Sequence, residues 1–394
     1  MPVTKTKKNI LFISHVSSKK FGGAERVLDD IVSNIDHEKY RTILLLQQKT
    51  GTEKLDWDCS ANTDIEFFDF GLLSHRFKII GLIGMLFRVV KGFFYIKRLI
   101  KKHDIDVICA NTLIAAAFSV MPSRYMRKQF FYYEHNIVEH RKGHLIGLAL
   151  YPVSKLSTNI ICISESVKQS LAREGVCLSK LHLVYNGADF KGLDYSLSTG
   201  NGLPARYQDN VLRVGMVANF MPWKRHQLFL ELMSGLSDKV PGIRIEAVIV
   251  GGCLPGNEGY YQEIVSWVNN YKGSVVYTLT GFQDNVAEYF RSFDILINPA
   301  KAEPFGLIFL EAMYLGCVVV GSNQGAAPEI INDGATGCIV DYDDIDSVLI
   351  RLAHLALNKK DRINMGERAS EVVKKDFSIE NQIQQLEKLF DNVA

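Results

Sequence analysis

The sequence predicts an α/β protein built from two doubly wound parallel sheets. Short β-branched and aromatic runs alternate with helix-length segments along all 394 residues. Two of these runs, 247–250 and 317–320, are continuously apolar, which is typical of parallel strands buried on both faces. Regular alternation of strands and helices favours parallel sheets that are covered by helices on both sides.

The composition is that of an ordinary globular protein. It is 47% hydrophobic and 22% charged, with a formal net charge of +2. These values exclude a disordered, collagen-like or coiled-coil chain. The near-neutral balance also lacks the basic excess of a nucleic-acid-binding protein, so no nucleic-acid partner is expected. The length predicts two or three domains.

Thirteen segments have the length and composition of strands. They are 9–14, 41–47, 64–70, 106–111, 129–135, 159–164, 180–186, 212–219, 244–251, 274–281, 294–299, 317–322 and 337–340. Residues 187–210 are rich in Gly, Ser and Asp and lack helical or strand periodicity, which indicates a boundary. We therefore predict an N-terminal domain at 1–190, a linker at 191–210 and a C-terminal domain at 211–376.

Charge is divided unequally between the two halves. Residues 1–195 hold 28 Lys and Arg against 19 Asp and Glu, a balance of +9, whereas 196–394 hold 17 against 24, a balance of −7. The most basic segment, 76–102, has eight Lys and Arg, no acid and apolar residues at roughly helical spacing. One interpretation is a helix lying on an anionic membrane surface. The other is a crossover helix packed on the sheet with solvated lysines.

The cysteines and the N-terminus predict a cytoplasmic protein. The seven cysteines are odd in number and none has the close spacing of a zinc or redox pair, which indicates a reducing compartment. No signal peptide is recognisable, and no run reaches the 18 apolar residues that a membrane span needs. If the basic segment binds lipid, we expect a peripheral position on the cytoplasmic face of the inner membrane.

Residues 298–313 carry the most informative pattern. A predicted strand ends, a short loop holds Glu303, and Pro304 predicts the first turn of a helix that contains Glu311. Such turns lie at the carboxyl edge of a doubly wound sheet, where ligands bind. On a continuous helix the two acids are about 12 Å apart, too far for a glycosidase pair, which needs about 5–9.5 Å. They therefore contact different parts of one extended ligand, or one acid favours the helix dipole while the other is solvated.

Backbone groups and cations complete this candidate anion site. The N–H groups of Phe305, Gly306 and Leu307 are predicted to open the helix and hold a phosphate. Lys224 and Arg225 open another helix, after the first strand of the C-terminal domain. Cations are unfavourable at a helix N-terminus, so either an anion binds there or the pair is simply solvated.

Two weaker signals lie in the N-terminal domain. Gly23 belongs to a Gly-Gly turn after the first strand, whose N–H groups either face a ligand or form a plain turn. His135 follows an aromatic strand, where a His either reaches a ligand or is a satisfied structural residue. The acidic pair Asp341/Asp343 resembles a helix N-cap region, and Asp104/Asp106 precedes a predicted strand, so neither pair is expected to bind a metal. No metal and no cofactor are expected.

Taken in order, these motifs resemble glycosyltransferase family 4, whose members are retaining, metal-independent enzymes of the GT-B fold. The matching segments are Gly22-Gly23-Ala24-Glu25-Arg26, Asn186-Gly187-Ala188-Asp189, 215–224, Gly251-Gly252, Gly281, 303–313, 325–329 and 333–337. The resemblance implies two Rossmann-like domains facing across a cleft. It also implies an N-terminal acceptor domain that the C-terminal segment 377–394 rejoins, and a C-terminal donor domain.

The resemblance implies roles for residues of the donor domain. Lys224 would neutralise the diphosphate of a nucleotide sugar, Glu311 would hold the ribose hydroxyls, and Glu303 would meet the hydroxyls of the transferred sugar. The N–H groups of residues 305–307 would lie near sugar and phosphate. The nucleotide sugar, with UDP favoured, is then a substrate and not a cofactor.

Other implied roles involve the acceptor domain and one departure. Gly23 would approach the diphosphate, and His135 would approach the sugar near the acceptor. The family often has Arg where this chain has Asn219, and Arg225 is the candidate replacement for the missing charge.

The implied reaction transfers a sugar, with retained anomeric configuration, to a hydroxyl of a glycan or lipid-linked acceptor such as a surface polysaccharide precursor. Two alternatives stay open. One is another GT-B activity, such as a sugar-nucleotide epimerase or a phosphorylase. The other is a catalytically inactive GT-B subunit used for binding or assembly, which the departure at Asn219 supports.

Overall fold

The computed structural model describes residues 7–18, 22–48, 57, 63–71, 78–138, 145–198, 203 and 206–392, with side chains except at 78–83, 85, 86, 145–149 and 195–198. The chain divides into two compact units. The first unit holds Met1–Asn186 with Ile379–Ala394, and the second holds Gly187–Ser378.

Within its described residues, the first unit contains a seven-stranded parallel sheet. The strands are β1 (Lys8–Ile13), β2 (Tyr40–Gln47), β3 (Thr63–Phe68), β4 (Val107–Ala110), β5 (Gln129–Glu134), β6 (Asn159–Cys162) and β7 (Leu181–Leu183). Their order is β3-β2-β1-β4-β5-β6-β7, with Ile10 of β1 paired to both Thr42 and Val107. Strands β4 and β6 are buried at every position, as expected for a sheet covered on both faces.

Within the described residues, helices connect these strands and complete the first unit. They are α1 (Gly23–Asn34), α2 (Lys78–Lys102), α3 (Leu113–Tyr125), α4 (Leu145–Leu156), α5 (Glu165–Arg173) and α14 (Ile379–Asn392). Helix α14 packs on the sheet through Phe390, whose ring lies 5.1 Å from Phe131 and 6.3 Å from Phe12. The C-terminal helix is therefore part of the core of the first unit.

The described part of the second unit contains a six-stranded parallel sheet. The strands are β8 (Val211–Val217), β9 (Arg244–Val250), β10 (Val276–Leu279), β11 (Ile295–Ile297), β12 (Val318–Ser322) and β13 (Cys338–Val340). Their order is β10-β9-β8-β11-β12-β13. Gly215 in β8 has a packing role, because an added Cβ would lie 2.1 Å from the ring of Phe293.

Eight helices of the second unit lie within the described residues. They are α6 (Phe190–Ser198), α7 (His226–Lys239), α8 (Glu258–Asn270), α9 (Ala287–Ser292), α10 (Leu307–Tyr314), α11 (Ala327–Ile330), α12 (Ile345–Leu357) and α13 (Lys359–Asp376). The buried faces of α7 and α12 join the strands in one core that includes Phe229, Met233 and Leu352.

The predicted fold class, two parallel-sheet α/β domains, is confirmed, and all thirteen predicted strand segments contain a strand. The expectation that 187–210 lacks helical structure is wrong, because Phe190–Ser198 is helical. A tertiary contact explains this helix: the ring of Phe190 stacks on Tyr314 at 4.3 Å between centroids. Local periodicity could not reveal a partner that lies more than a hundred residues away.

Candidate functional site

Lys224 and Glu303 meet at the carboxyl edge of the second sheet. Lys224 ends the 3₁₀ turn Pro222–Lys224 that follows β8, and Glu303 lies in the loop after β11. Their charged groups lie 2.6 Å apart, with side chains only 15% and 13% exposed. The Lys224 ammonium also lies 4.0 Å from the centroid of the Trp223 ring. Two residues that the sequence predicted separately therefore form one partly buried ion pair.

The Glu303 carboxylate is held by a second donor. The side-chain amide of Asn298 donates to the same oxygen, Oε2, at 3.1 Å. Asn298 directly follows the buried strand β11 and is itself 2% exposed. Sequence reasoning did not assign Asn298 to the site, although a buried polar residue at the carboxyl end of a strand is a signal that could have found it.

The backbone at Glu303 is fixed by the loop after β12. The N–H of Ala326 donates to the carbonyl of Glu303 at 2.9 Å. Gly325 pairs with Glu303 as an isolated bridge and has φ +72. An added Cβ at Gly325 would lie 2.5 Å from the Glu303 carbonyl oxygen. Only glycine fits there, so Gly325 determines how closely the two loops approach.

The start of α10 differs from the sequence prediction. The helix begins at Leu307, because Gly306 is its N-cap residue in the left-handed conformation, with φ 93 and ψ 69. Phe305 precedes the helix and is buried. Of the three residues predicted to begin the helix, 305–307, only Leu307 is helical. The prediction that Glu303 and Glu311 are spaced along one continuous helix is also wrong, because Glu303 lies before the helix begins. Glu311 lies in α10 and is 1% exposed.

Arg225 pairs with a different acid from the one that Lys224 contacts. It is the N-cap residue of α7, with φ 59. The prediction that Lys224 and Arg225 both begin this helix is wrong, because Lys224 ends the preceding 3₁₀ turn. The guanidinium of Arg225 lies 3.8 Å from Asp343, and Lys301 lies 3.6 Å from the other oxygen of that carboxylate. Arg225 and Lys301 thus place two cations around one exposed acid.

Asn219 stabilises the neighbouring loop after β9. Its side-chain oxygen accepts from the N–H of Gly252 at 3.1 Å. The N–H of Phe220 donates to the carbonyl of Gly252 at 2.9 Å. An added Cβ at Gly251 would lie 1.9 Å from the Ala218 carbonyl oxygen. The role that the structure gives Asn219 is therefore to hold the glycine loop at the sheet edge.

His135 belongs to the first unit and follows β5. Its Nε2 lies 2.9 Å from Oδ1 of Asn111, which directly follows β4. Burial of the imidazole lowers the pKa of His135 to about 3, so the ring is neutral at physiological pH. The neighbouring Glu134 accepts hydrogen bonds from Tyr132 and from the N–H of Asn136, and burial raises the pKa of its carboxyl group.

Gly23 is the first residue of α1 and lies next to open space. An added Cβ there would meet nothing within 4 Å. Glu25 occupies the same helical turn and is 6% exposed. Burial raises the pKa of the Glu25 carboxyl group, whereas a hydrogen bond from its own backbone N–H acts to lower it. Part of the N-terminal hydrogen-bonding capacity of α1 is thus already used by this side chain.

The described part of the chain contains neither a metal-type cluster of side chains nor a helix that could span a membrane. No group of three or more His, Cys, Asp or Glu side chains there is arranged to hold a metal ion. None of the described helices combines the length and apolar character needed to cross a membrane.

Two family models match the chain. The model described as Glycosyltransferase Family 4 matches residues 21–191, and the model for Glycosyl transferases group 1 matches residues 206–372. The two parallel-sheet α/β units, with seven and six strands in their described residues, have the GT-B fold. The chain belongs to the group 1, family 4 glycosyltransferases.

Curated relatives match over part of their length. N-acetyl-alpha-D-glucosaminyl L-malate synthase of Bacillus anthracis is 30% identical over 177 residues, 45% of this chain and 44% of that protein. The sulfoquinovosyl transferase of Arabidopsis thaliana is 25% identical over 218 residues, 53% of this chain and 39% of that protein. The chain thus spans about four tenths of the length of these relatives.

Solved structures match over nearly the whole chain and show the same fold. HepE of Anabaena in complex with UDP and glucose has a TM-score of 0.75 and 19% identity, covering 98% of this chain and 100% of that one. Sucrose-phosphate synthase of Thermosynechococcus elongatus has a TM-score of 0.79 and 17% identity, with 98% of both chains covered.

Proposed function

We propose that this protein transfers a sugar from a nucleoside diphosphate sugar to an acceptor hydroxyl with retention of anomeric configuration. The Lys224–Glu303 ion pair at the carboxyl edge of the second sheet carries the proposal. It joins a cation suited to a diphosphate with a carboxylate suited to sugar hydroxyls. UDP-sugars are favoured as donors, since HepE, which shares the fold, is found in complex with UDP and glucose, with UDP and with UDP-glucose.

In the proposed reaction, the acceptor oxygen bonds to the anomeric carbon as the bond from that carbon to the diphosphate oxygen breaks. The acceptor proton passes to a phosphate oxygen on the same face of the sugar. Negative charge grows on the leaving diphosphate, and Lys224 stabilises it electrostatically. The donor would draw Lys224 from Glu303 to phosphate, leaving the carboxylate to accept hydrogen bonds from the transferred sugar. Because Lys224 supplies the positive charge, we propose a metal-independent reaction without a cofactor.

The other proposed contacts follow the family pattern. Glu311 holds the ribose hydroxyls, and the N–H groups near Gly306 and Leu307 approach the sugar and phosphate. Gly23 of the first unit approaches the diphosphate, and His135 approaches the sugar. The neutral imidazole of His135 suits contact with a sugar hydroxyl better than contact with a phosphate oxygen, because it carries no charge to balance the anion.

For the acceptor, we propose a lipid-linked oligosaccharide or surface polysaccharide precursor, used at the cytoplasmic face of the inner membrane. One face of α2 supports an acceptor at a membrane surface. Phe87 and Phe94 are 70% and 63% exposed, and the basic residues Lys91 and Arg98 share their face at helical spacing. Tyr125 of α3, 64% exposed, has the ammonium of Lys97 4.5 Å from its ring centroid. Aromatic and basic side chains on one surface suit an anionic lipid interface.

A panel of nucleotide sugars tests the proposal. Thermal shift identifies the donor that binds, and hydrolysis of that donor in the absence of acceptor tests turnover. NMR of the glycoside formed with an added acceptor reports its anomeric configuration. Transfer with retention is the expected result. Conversion of the free nucleotide sugar into its epimer without an acceptor would overturn the proposal, and so would binding without turnover for every donor and acceptor tried.

A further inference from the structure

Three neighbouring loops of the first unit are joined by one side chain, Asn111. This residue directly follows β4 and is fully buried. Its amide nitrogen donates to the carbonyl of Ala24, in the first turn of α1, at 3.0 Å. Its amide oxygen lies 2.9 Å from Nε2 of His135, which follows β5. Its own backbone N–H donates to the carbonyl of Ile13, the last residue of β1. Asn111 therefore connects the glycine turn after β1 to the His after β5.

These contacts determine the tautomer of His135. A backbone carbonyl only accepts hydrogen bonds, so the NH₂ group of Asn111 must face Ala24. The oxygen of Asn111 then faces His135, and an oxygen acceptor requires the proton to be on Nε2. The other ring nitrogen, Nδ1, consequently carries a lone pair. No residue in the described ranges hydrogen-bonds to Nδ1 of His135.

The orientation of the His135 ring is fixed from a second side. The ring lies against that of Tyr133, with centroids 4.5 Å apart. The hydroxyl of Tyr133 accepts a hydrogen bond from Gln382 of α14 at 2.8 Å and lies 3.3 Å from Oδ1 of Asn186. The C-terminal helix thus supports Tyr133, on whose ring His135 packs, while Asn111 fixes the tautomer of His135.

We propose that Asn111 is a positioning residue that holds His135 in the Nε2–H tautomer, so that Nδ1 accepts a hydrogen bond from a sugar hydroxyl of the bound substrate. The sugar contact rests on the proposed function; the tautomer does not. A lone pair accepts from a hydroxyl and repels a phosphate oxygen. Asn111 thereby selects a hydroxyl group as the ligand of His135.

Nitrogen-15 NMR of the full-length protein labelled at histidine tests the tautomer directly. His135 is assigned by the resonances that disappear in His135→Gln, or in His135→Asn if that variant does not fold. We expect an unprotonated Nδ1 and a protonated Nε2 in the wild type at neutral pH. Finding the proton on Nδ1 would overturn the proposal without reference to activity.

Asn111→Asp tests the function of that tautomer. The carboxylate cannot donate to Ala24 and favours a doubly protonated His135, which removes the Nδ1 lone pair. We expect a loss in kcat of about tenfold or more, by analogy with the partners that orient metal-binding His residues, with the donor KM within about twofold. Protonation of Nδ1 should appear in the NMR spectrum of the same variant. Wild-type kcat in a variant whose Nδ1 is protonated would overturn the proposal.

A matched pair elsewhere in the first unit provides the control. Oδ1 of Asn159 lies 2.9 Å from Nε2 of His182, the same kind of contact, at the start of β6. Asn159→Asp should leave kcat within about twofold of wild type, and an equal loss in both variants would refute a specific role for Asn111. If the wild type shows the Nε2–H tautomer but transfers no sugar, the sugar contact and the proposed function fail together, and the tautomer assignment stands.

Discussion

The ammonium of Lys224 lies 2.6 Å from the carboxylate of Glu303, although 79 residues separate them in sequence. Both side chains are mostly withdrawn from water, so each charge depends on the other until a ligand arrives. Asn298 adds a donor to Glu303, and Gly325 fixes the backbone on which Glu303 is carried. The pair is thus held by three separate turns of the second sheet.

Glu303→Gln and Lys224→Ala should each lower sugar transfer at least about a hundredfold, the scale of losing one preorganised charge contact. Steady-state kinetics with the identified donor measures the loss. A matched control is Glu246→Gln, because Arg213 and Glu246 form a pair in the same unit at 2.8 Å with side chains 11% and 22% exposed. Turnover in that variant should stay near wild type. Unchanged turnover in either Lys224→Ala or Glu303→Gln would refute the site assignment.

Gly325→Ala should reduce kcat through displacement of Glu303. The new Cβ would collide with the Glu303 carbonyl, which has to move together with the loop that carries its carboxylate. Gly334→Ala separates this effect from backbone strain, since Gly334 has φ +74 and open space around an added Cβ. The left-handed conformation alone should cost each variant about 1–2 kcal/mol of stability, measured by urea unfolding. The collision adds to this cost at Gly325. Only Gly325→Ala should lose activity, and equal activities would contradict the coupling.

The sheet and the candidate site were predictable to different extents. Buried apolar runs are local signals, so every strand segment could be located from sequence. The Lys224 and Glu303 loops could be assigned to the carboxyl edge, yet their pairing could not, because it depends on the geometry of two non-adjacent turns. The late start of α10 depends on the left-handed Gly306, which a Pro-based helix prediction overlooks. Asn111 gave no motif signal because its role comes from three contacts made at one point in space.

The exposed face of α2 should bind anionic vesicles. Burying two phenylalanine side chains in the interface contributes about 1.5–3 kcal/mol each at full burial, so the double variant Phe87→Ser/Phe94→Ser should lose about tenfold or more in binding. Sedimentation with anionic vesicles measures it, and rising salt should weaken binding of the wild type.

The double variant Ile350→Ser/Leu357→Ser is the control for that experiment. These α12 side chains are 63% and 64% exposed in the second unit and lie outside the basic segment. Their removal should leave sedimentation unchanged. Equal sedimentation of the wild type with neutral and anionic vesicles would favour the crossover-helix interpretation of 76–102 instead.

Acid should destabilise the second unit through His226. This side chain is 0% exposed, and its ring stacks on Phe220 with centroids 4.4 Å apart. Burial lowers the pKa of His226 to about 4, whereas an unfolded His titrates near 6.5. Between these values the unfolded chain binds a proton that the folded chain does not. Stability from this group is therefore complete above about pH 6.5 and decreases as the pH falls towards 4.

His226→Gln removes this titration while keeping an amide donor for the carbonyl of Ala218, which lies 3.4 Å from Nε2. The variant should be less stable than wild type at pH 7, and the difference in unfolding free energy should shrink by about 2 kcal/mol at pH 5. In a Trp57→Phe background the remaining tryptophans, Trp223 and Trp267, both lie in the second unit, so their fluorescence during urea unfolding reports on that unit. A difference that stays constant between pH 7 and 5 would show that His226 titrates alike in both states.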